Sequence, residues 1–361
     1  MNAQDFWPAL RGRLAPSPTG RIHLGNAFAF LVAWACARKD GGTVVMRVED
    51  IDPVRSRPHF IQGVIDDLHW LGLDWDEGPG CKGEADVANP ACPGPFAPYM
   101  QSGASHCYHA ALQHLQGLTY PCFCTRKELK TMASAPHLED GSPVYDGRCR
   151  GLSLAEREKR ITHGQRYTLR LDVDAALHSM PHLTQPPEDL SPSMPRDTET
   201  AQNLLLAGDF ALMRSDGVPA YQLAVVVDDG RMGITQVVRG NDLCASTPRQ
   251  ILLLRLLGYT PPDYLHIPLL CDHEGERLAK RHNSLEIAAL RAKGILPEQV
   301  VGVLAWLMGF VPEATPLATS QFVSLCDPPG LLKKQRILLP CPEAALFSAR
   351  EPELPVQLPG V

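Results

Sequence analysis

The chain has 361 residues, of which 44% are hydrophobic and 20% charged, a balance typical of a globular protein with a substantial core. Its formal net charge of −6 excludes nucleic-acid binding through overall charge, so such a partner would need a local basic face. We expect no membrane span and no signal peptide, because the chain lacks a long apolar run and a basic start. Eleven unevenly spaced cysteines favour reduced thiols in a cytoplasmic protein.

A turn close to the start of the chain joins a short apolar run to an apolar helix. It reads RLAPSPTGRIHLGN over residues 13–26, with His23 and Gly25 at the start of the helix. Free backbone N–H groups and the positive end of a helix dipole meet at such a junction. The turn is therefore typical of a phosphate-binding site, although an ordinary strand–turn–helix with a capping histidine has the same local pattern.

Strand and helix alternate over the first 71 residues. An apolar helix at 25–39 is followed by a β-branched strand at 43–48 and an amphipathic helix at 58–71. The strand ends in acidic residues that begin at Glu49, at the edge where open α/β sheets bind ligands. Acidic residues at the start of a helix would give the same sequence pattern. The alternation predicts an α/β fold with a doubly wound parallel sheet.

Further elements follow along the chain. Helical spacing of apolar residues predicts helices over 105–118, 248–257 with Thr247 as N-cap, 285–293 and 297–308. Apolar strands are predicted over 235–239 and 265–270, and a turn at Asp228-Asp229-Gly230. Proline-rich segments predict a surface loop over 78–103, an exposed insertion over 178–200 and a tail without clear periodicity over 312–361.

Three cysteines and a tyrosine form a candidate ligand set for a tetrahedral zinc ion: Cys122, Cys124, Tyr145 and Cys149. The spacing alone is equally typical of ordinary reduced cysteines. The region around the set is basic, with ten Lys/Arg against six Asp/Glu between residues 122 and 170.

The turn at 13–26 and the basic loop RLAKR at 277–281 resemble the two signature motifs of class I aminoacyl-tRNA synthetases. The long form of the first motif resembles the glutamyl/glutaminyl branch in particular. The resemblance spans about residues 11–310 and implies a Rossmann-type catalytic sheet with a zinc-bearing insertion and a short helical C-terminal region. It divides the chain into the first catalytic half (11–118), the inserted zinc-binding, acceptor-like subdomain (119–205), the second catalytic half (206–270), a lysine-loop and helical region (271–311) and a Pro-rich tail of unknown role (312–361).

The resemblance implies that ATP, with Mg²⁺ bridging its phosphates, is a substrate. His23 and Lys280 would be the catalytic groups, His23 by donating a hydrogen bond at the α-phosphate and Lys280 by closing onto the pyrophosphate. The implied ATP-binding residues are Pro16, Ser17, Thr19, Gly20, His23, Gly25, Asn26 and Lys280.

The second implied substrate is L-glutamate. The implied glutamate-binding residues are Arg13, Leu14, Ala15, Pro16, Ser17, Glu49, Tyr221 and Arg239. Glu49 would hold the ammonium group, and Arg13 and Arg239 would clamp the side-chain carboxylate. An amide would leave such buried charge uncompensated, so the clamp would reject glutamine. The same resemblance implies one structural zinc ion on Cys122, Cys124, Tyr145 and Cys149.

About 80 residues follow Lys280, fewer than in the full synthetases of the branch, which continue into an anticodon-binding domain. The chain in this respect resembles shortened paralogues that transfer glutamate to the queuosine base in the anticodon loop of tRNA(Asp). We expect a monomer whose macromolecular partner is queuosine-bearing tRNA(Asp). Arg277 and Ala279 depart from the usual lysine and serine of the second motif, and the resemblance does not explain the insertions at 79–98 and 178–200 or the tail.

Two other hypotheses stay open. A glutamyl-tRNA synthetase with a reduced C-terminal body would charge a tRNA 3′ end and would accept tRNA that lacks queuosine. A non-catalytic paralogue would bind tRNA or a protein without activating glutamate, which the joint presence of His23, Glu49, Arg239 and Lys280 disfavours.

Overall fold

The computed structural model describes residues 10–81, 94–125, 127–129, 145–180, 204, 208–278, 285–332, 334 and 336–339. Its main helices are α1 (Leu24–Lys39), α2 (Pro58–Trp70), α3 (Ser105–His114), α4 (Leu154–Thr162), α5 (Val173–Ser179), α6 (Tyr221–Arg231), α7 (Thr247–Leu256), α8 (Ile287–Ala292), α9 (Pro297–Met308), α10 (Thr319–Leu325) and α11 (Pro328–Leu331). Its strands are β1 (Arg11–Leu14), β2 (Thr43–Met46), β3 (Thr119–Cys122), β4 (Thr168–Leu171), β5 (Ala211–Met213), β6 (Gln236–Gly240), β7 (Asp263–Ile267), β8 (Leu269–Cys271) and β9 (Arg336–Leu338).

Parallel strand pairs come from both the early and the late part of the chain. β1 pairs with β2, from Arg11 opposite Thr43 to Leu14 opposite Met46, and β6 pairs with β7 in the same sense. The Thr235 amide donates to the Arg11 carbonyl at 3.0 Å, which places the start of β6 beside β1. The predicted α/β architecture with parallel strands is confirmed.

Helix α1 is buried on nearly all sides, as its continuous apolar sequence predicts. Phe28, Leu31 and Trp34 are buried, because β1, β2, β6 and α10 pack around the helix. Gly41 follows the helix with a φ of +66°, a backbone conformation that glycine adopts without strain. The helix predicted over 25–39 is confirmed.

An antiparallel sheet lies in the region inserted between the two parallel pairs. Its strand order is β3–β4–β5. Its apolar residues share one core cluster with α3, α6 and α7, including Leu171, Leu212 and Leu223. The inserted region therefore packs directly on helix α6, which begins at the candidate site, while the domain limits at 118 and 205 stay a prediction.

The turn predicted at Asp228-Asp229-Gly230 is wrong, because these residues form the last turns of helix α6. Both carboxylates are buried, with Asp228 fully inaccessible, and partners from other elements compensate their charge. Gly230 is a packing residue here, since a Cβ at that position would lie 2.3 Å from the Tyr259 ring. Tertiary ion pairs thus override a typical local turn signal.

Two boundaries near β7 also differ from the prediction. The strand predicted over 265–270 is two strands, β7 and β8, separated at Pro268, which has no N–H to donate to a sheet ladder. Helix α7 begins at Thr247 and its N-cap is Ser246. The Thr247 hydroxyl does not cap the helix but contacts Arg239 and His266.

The two proline-rich segments are more ordered than predicted in their described parts. Cys81 and Tyr99, both within the predicted surface loop, are buried. Within the predicted tail, α10, α11 and β9 are regular elements, and β9 pairs with β8 in parallel. Phe322 and Ile337 of this segment join the apolar core around α1, so hydrophobic burial orders a sequence that lacks clear periodicity. The insertion predicted at 178–200 lies almost entirely outside the described residues.

None of the helices in the described part of the chain combines the length and the apolar character that crossing a membrane requires.

Candidate active site

His23 closes the turn between β1 and α1 as the N-cap of the helix. Its Nδ1 accepts hydrogen bonds from the backbone amides of Gly25 at 3.1 Å and Asn26 at 3.4 Å, two of the amides that a helix start leaves unpaired. A Cβ at Gly25 would lie 3.1 Å from the His23 ring, so glycine leaves room for this arrangement. Because Nδ1 accepts, the ring proton is on Nε2, and His23 is a donor at that atom. Helix capping and phosphate binding by His23 are therefore compatible.

Two adjoining cavities meet at this turn. The first, which we name the arginine cavity, has a volume of about 320 Å³ and is lined by Arg13 and Arg239. The second, which we name the turn cavity, has a volume of about 280 Å³ and is lined by Thr19 and Gly20. Both are lined by Ala15, Ser17, His23, Asn26, Phe30 and Arg277.

The predicted site residues divide between these cavities. The predicted glutamate-binding residues that line the arginine cavity are Arg13, Ala15, Ser17, Glu49, Tyr221 and Arg239. The predicted ATP-binding residues that line the turn cavity are Pro16, Ser17, Thr19, Gly20, His23 and Asn26. Gly25 lines the arginine cavity. The side chain of Leu14 lines neither cavity, because it is fully buried in the core. Lys280 lies outside the described residues.

A buried ion network around the fully buried Arg47 contacts two residues that line the arginine cavity, Arg13 and Glu49, and we name this network the floor of the cavity. Nη1 of Arg47 donates to Asp229 at 2.5 Å, and its Nη2 donates to Glu49 at 3.1 Å. Asp229 also lies 3.2 Å from Nε of Arg13. One carboxylate on α6 thus holds two arginines, from β1 and from the residue after β2, in fixed positions beneath the cavity.

Asp228 completes this network from the other side of α6. Its carboxylate accepts hydrogen bonds from Gln101 at 2.9 Å, Tyr108 at 3.0 Å and Arg231 at 2.9 Å. These bonds satisfy a fully buried charge, which would otherwise be strongly unfavourable. Burial of the phenol and the nearby Asp228 charge raise the pKa of Tyr108, so the phenol stays a donor.

Arg239 forms a wall of the same cavity and has a different environment. Its guanidinium donates to Gln250 at 2.6 Å, Thr247 at 2.7 Å and His266 at 3.3 Å, and it lies 4.9 Å above the Tyr264 ring. Burial and the nearby Arg239 charge lower the pKa of His266 to about 3, so this imidazole is neutral. Among the described residues, the recorded partners of Arg239 are all uncharged.

Glu49 and Asp242 are the two carboxylates among the described residues that line the cavity. Ser17 donates to one oxygen of Glu49 at 3.3 Å, while Arg47 holds the other. The Glu49 side chain is 12% exposed, so its charge is close to the cavity without being freely solvated. Tyr221, at the first position of α6, lies on the same cavity and is partly exposed.

Arg277, which lines both cavities, forms an ion pair with Asp242, which lines the arginine cavity. Both side chains are accessible, at 55% and 26% exposure, so water and salt screen their attraction. The pair connects the segment before Lys280 to the end of β6.

The four predicted zinc ligands lie together at the end of β3. The sulfurs of Cys122, Cys124 and Cys149 are all within 4.8 Å of one another, and those of Cys124 and Cys149 are 3.6 Å apart. Two thiolates on one tetrahedral zinc ion, at Zn–S distances of about 2.3 Å, stand about 3.8 Å apart. Tyr145 Oη is 3.9 Å from the Cys124 sulfur. The geometry and the donor set fit a zinc ion.

Several residues of the site were not predicted from the sequence, above all Arg47, Asp228, Asp229 and His266. Asp228 and Asp229 follow a helical apolar run, and Arg47 interrupts an apolar strand. Charged residues inside otherwise buried elements were the available signal, since such charges require buried partners. The identity of those partners could not be read from the local sequence.

Comparisons with known proteins identify the family to which the chain is similar. Residues 9–324 match tRNA synthetases class I (E and Q), catalytic domain. The chain is 50% identical over 318 residues to the Glutamyl-Q tRNA(Asp) synthetase of Nitratidesulfovibrio vulgaris, covering 88% of this chain and 91% of that protein. It is 46% identical to the Glutamyl-Q tRNA(Asp) synthetase of Symbiobacterium thermophilum, covering 88% of this chain and 92% of the relative.

Proteins named as tRNA ligases are also similar. The chain is 39% identical to Glutamate–tRNA ligase 2 of Syntrophus aciditrophicus, covering 84% of this chain and 58% of that protein. Among solved structures, the glutamate-tRNA synthetase of Elizabethkingia anophelis superimposes with a TM-score of 0.67 at 24% identity, covering 92% of this chain and 68% of the other. This structural likeness supports the fold.

Proposed function

The chain belongs to the class I tRNA synthetases of the glutamate and glutamine branch. We propose that it is an ATP-dependent ligase that activates glutamate as glutamyl-adenylate, with release of pyrophosphate, and transfers the glutamate to queuosine in tRNA(Asp), with release of AMP. The observation that carries the activation step is the pair of adjoining cavities, one with a buried arginine among neutral partners and one formed by the signature turn. The acceptor is supported by 50% identity to a Glutamyl-Q tRNA(Asp) synthetase over 91% of its length.

Glutamate fits the charges of the arginine cavity. Its side-chain carboxylate would pair with Arg239, whose recorded partners are neutral acceptors, and would lie close to Arg13. Its ammonium would pair with Glu49, and Tyr221 would cover it. Glutamine would leave the Arg239 charge without an anion in a buried site, and sites of this kind discriminate strongly.

Activation forms a bond between an oxygen of the glutamate α-carboxylate and the α-phosphorus of ATP. It breaks the bond between that phosphorus and the oxygen that leaves with pyrophosphate. His23, with its proton on Nε2, would donate to the α-phosphate as negative charge develops there. Mg²⁺ bound with ATP would neutralise part of the phosphate charge. Lys280 is the predicted second cation at the pyrophosphate, and Leu278, two residues before it, lines the arginine cavity.

We also propose a structural zinc ion held by Cys122, Cys124, Tyr145 and Cys149, in a subdomain inserted into one doubly wound, Rossmann-type sheet. The supporting observations are the close grouping of the three sulfurs and the fit of their spacing to a tetrahedral ion. Bound zinc would crosslink the end of β3 to the segment around Cys149. Metal analysis of the purified protein tests this, with Cys149→Ser expected to lose the metal and Cys107→Ser, a cysteine outside the set, expected to keep it.

Glutamylation of a tRNA 3′ end is the less favoured alternative, because the glutamate–tRNA ligases of Syntrophus aciditrophicus and Alkalilimnicola ehrlichii are 39% and 40% identical to the chain, against 50% for the Glutamyl-Q tRNA(Asp) synthetase of Nitratidesulfovibrio vulgaris. The decisive experiment has two steps. ATP–pyrophosphate exchange is expected to depend on glutamate, and its absence at saturating glutamate contradicts the activation step. Radiolabelled glutamate is then offered with tRNA(Asp) prepared with and without queuosine, and labelling of the unmodified tRNA contradicts the proposed acceptor.

A further inference from the structure

Arg21 extends from the signature turn onto helix α2. Its Nη2 donates to Asp67 at 2.9 Å, and the Asp67 side chain is only 1% exposed. Gly63, one helical turn before Asp67, leaves space for the guanidinium, because a Cβ there would lie 1.9 Å from Arg21 Nη1. Gly63 and Asp67 lie on one face of α2 and together form a slot, which we name the Arg21 slot.

Gly63 and Asp67, the two residues of the slot, each lower the stability of the fold at their positions. Glycine inside a helix lowers helix stability relative to alanine, and a buried carboxylate is desolvated. Burial raises the pKa of Asp67 to about 6, although the Arg21 charge and the Ile22 amide act in the opposite direction. The glycine and the buried carboxylate together fix the position of the Arg21 guanidinium. Residues that lower local stability in this way are expected at functional sites.

The slot holds Arg21 at the turn cavity, where it is a lining residue together with Thr19, Gly20 and His23. The Arg21 side chain is 31% exposed, and the recorded ion pair uses Nη2, whereas a guanidinium has five N–H donors. Phosphate oxygens, like carboxylate oxygens, match the geometry of such a planar, permanently charged donor. His23, the predicted donor to the α-phosphate, lines both cavities and thus marks where the two substrates meet.

We propose that Arg21 binds the β- and γ-phosphates of ATP, with Gly63 and Asp67 as its positioning residues. The inference rests on the proposed glutamate-activating function. When the bond between the α-phosphorus and the bridging oxygen breaks, the electron pair goes to pyrophosphate. Arg21 would stabilise this charge, so it would act on the leaving group while Arg13 and Arg239 act on the amino acid.

The first test compares Arg21→Gln with the unsubstituted protein and with Arg38→Gln. Arg38 is a matched control, because it also pairs with carboxylates, Asp74 and Asp76, but lines neither cavity. Loss of a charge-assisted bond predicts that Arg21→Gln raises the KM values for ATP and pyrophosphate about tenfold or more. The KM for glutamate is expected to change less than about twofold, and Arg38→Gln is expected to change none of the three beyond twofold.

The second test asks whether Gly63 acts through Arg21. Gly63→Ala is expected to weaken ATP binding by displacing the guanidinium, and Arg21→Lys to restore part of the affinity that Arg21→Gln loses. In the double variant, Gly63→Ala is expected to add nothing to Arg21→Gln, because the group that it displaces is already absent. Fully additive losses would mean that Gly63 supports only the fold and would overturn the positioning role.

Calorimetric titration with Mg–ATP and with Mg–pyrophosphate separates this inference from the proposed function, because it needs no turnover. Weaker binding of both ligands by Arg21→Gln supports the inference even if glutamate-dependent exchange is absent, which would instead contradict the proposed function. Equal binding by Arg21→Gln and the unsubstituted protein overturns the inference, whatever the exchange assay gives. A change confined to thermal stability also overturns it.

Discussion

The floor and the wall of the arginine cavity are both cationic, but they are built in opposite ways. On the floor, Arg13 and Arg47 meet carboxylates of the protein, and Asp229 contacts both. On the wall, the recorded partners of Arg239 are neutral, and burial keeps one of them, His266, uncharged. Arg47, which is fully buried and lines neither cavity, is thereby compensated and supports the fold, whereas Arg239, held by neutral groups, keeps its charge for a ligand. Substitutions in the two regions should therefore separate stability from activity.

The largest effect on stability is expected for Asp229→Asn. The substitution leaves Arg47 fully buried with less compensating charge, and breaking a buried ion pair costs about 3–5 kcal/mol. Chemical denaturation measures the loss of unfolding free energy. The control is Asp216→Asn, because Asp216 pairs with Arg214 at the surface with 42% exposure, where such a pair is worth less than about 1 kcal/mol. Equal losses in the two variants would contradict a structural role for the floor.

Arg239→Gln is expected to act mainly on substrate binding. Loss of the charge should raise the KM for glutamate about 100-fold, which corresponds to about 2.7 kcal/mol, and should remove discrimination against glutamine. The neutral partners of Arg239 can form hydrogen bonds with the introduced glutamine amide, so the unfolding free energy should fall less than in Asp229→Asn. Exchange assays with each amino acid and denaturation of the same preparations measure both. If Arg239→Gln lost much unfolding free energy but still selected glutamate over glutamine, Arg239 would support the fold rather than bind the substrate.

Asp67 offers a third environment, a buried carboxylate with one recorded arginine partner. Burial raises its pKa to about 6, while an aspartate in an unfolded chain titrates near 3.9. Between about pH 4 and pH 6 the folded protein therefore holds a proton that the unfolded chain releases, so the unfolding free energy falls as the pH rises through this window. The contribution is roughly 2 kcal/mol.

Denaturation at pH 4.5 and pH 6.5 measures this slope. Asp67→Asn should lack this part of the pH dependence. Asp66→Asn, at the exposed position beside it on α2, should keep most of it, because burial is the main cause of the raised Asp67 pKa and the Asp66 charge is a minor one. If Asp67→Asn and the unsubstituted protein show the same slope, the buried carboxylate is not its source.

The smallest effect is expected for Asp242→Asn, which breaks the exposed pair with Arg277. Solvent screening should limit the loss of unfolding free energy to less than about 1 kcal/mol. The KM for ATP should change about threefold at most, and this change should diminish in high salt. Assays at low and high ionic strength measure the change in KM. A change in KM that is independent of salt concentration would show that the pair acts by packing rather than by charge.

Motif reasoning located much of the candidate site because many of its groups lie in continuous stretches. The turn at 13–26 brings its residues to two adjoining cavities, and the cysteine set is grouped as its spacing allows. Local patterns failed at Asp228 and Asp229, since two acids and a glycine are typical of a turn unless distant arginines bind them. They also failed at 312–339, where burial of Phe322 and Ile337 orders a proline-rich sequence.

The sequence by itself determined the class of fold and the signature turn, and it predicted three charged residues that line the arginine cavity, Arg13, Glu49 and Arg239. These depend on local order: a strand, a turn and a helix follow one another within residues 11–39, and backbone amides at a helix start bind anions wherever they occur. Only the tertiary structure decided which arginines are compensated. That depends on contacts such as Arg47 with Asp229 and Arg21 with Asp67, which join distant elements and have no local signature.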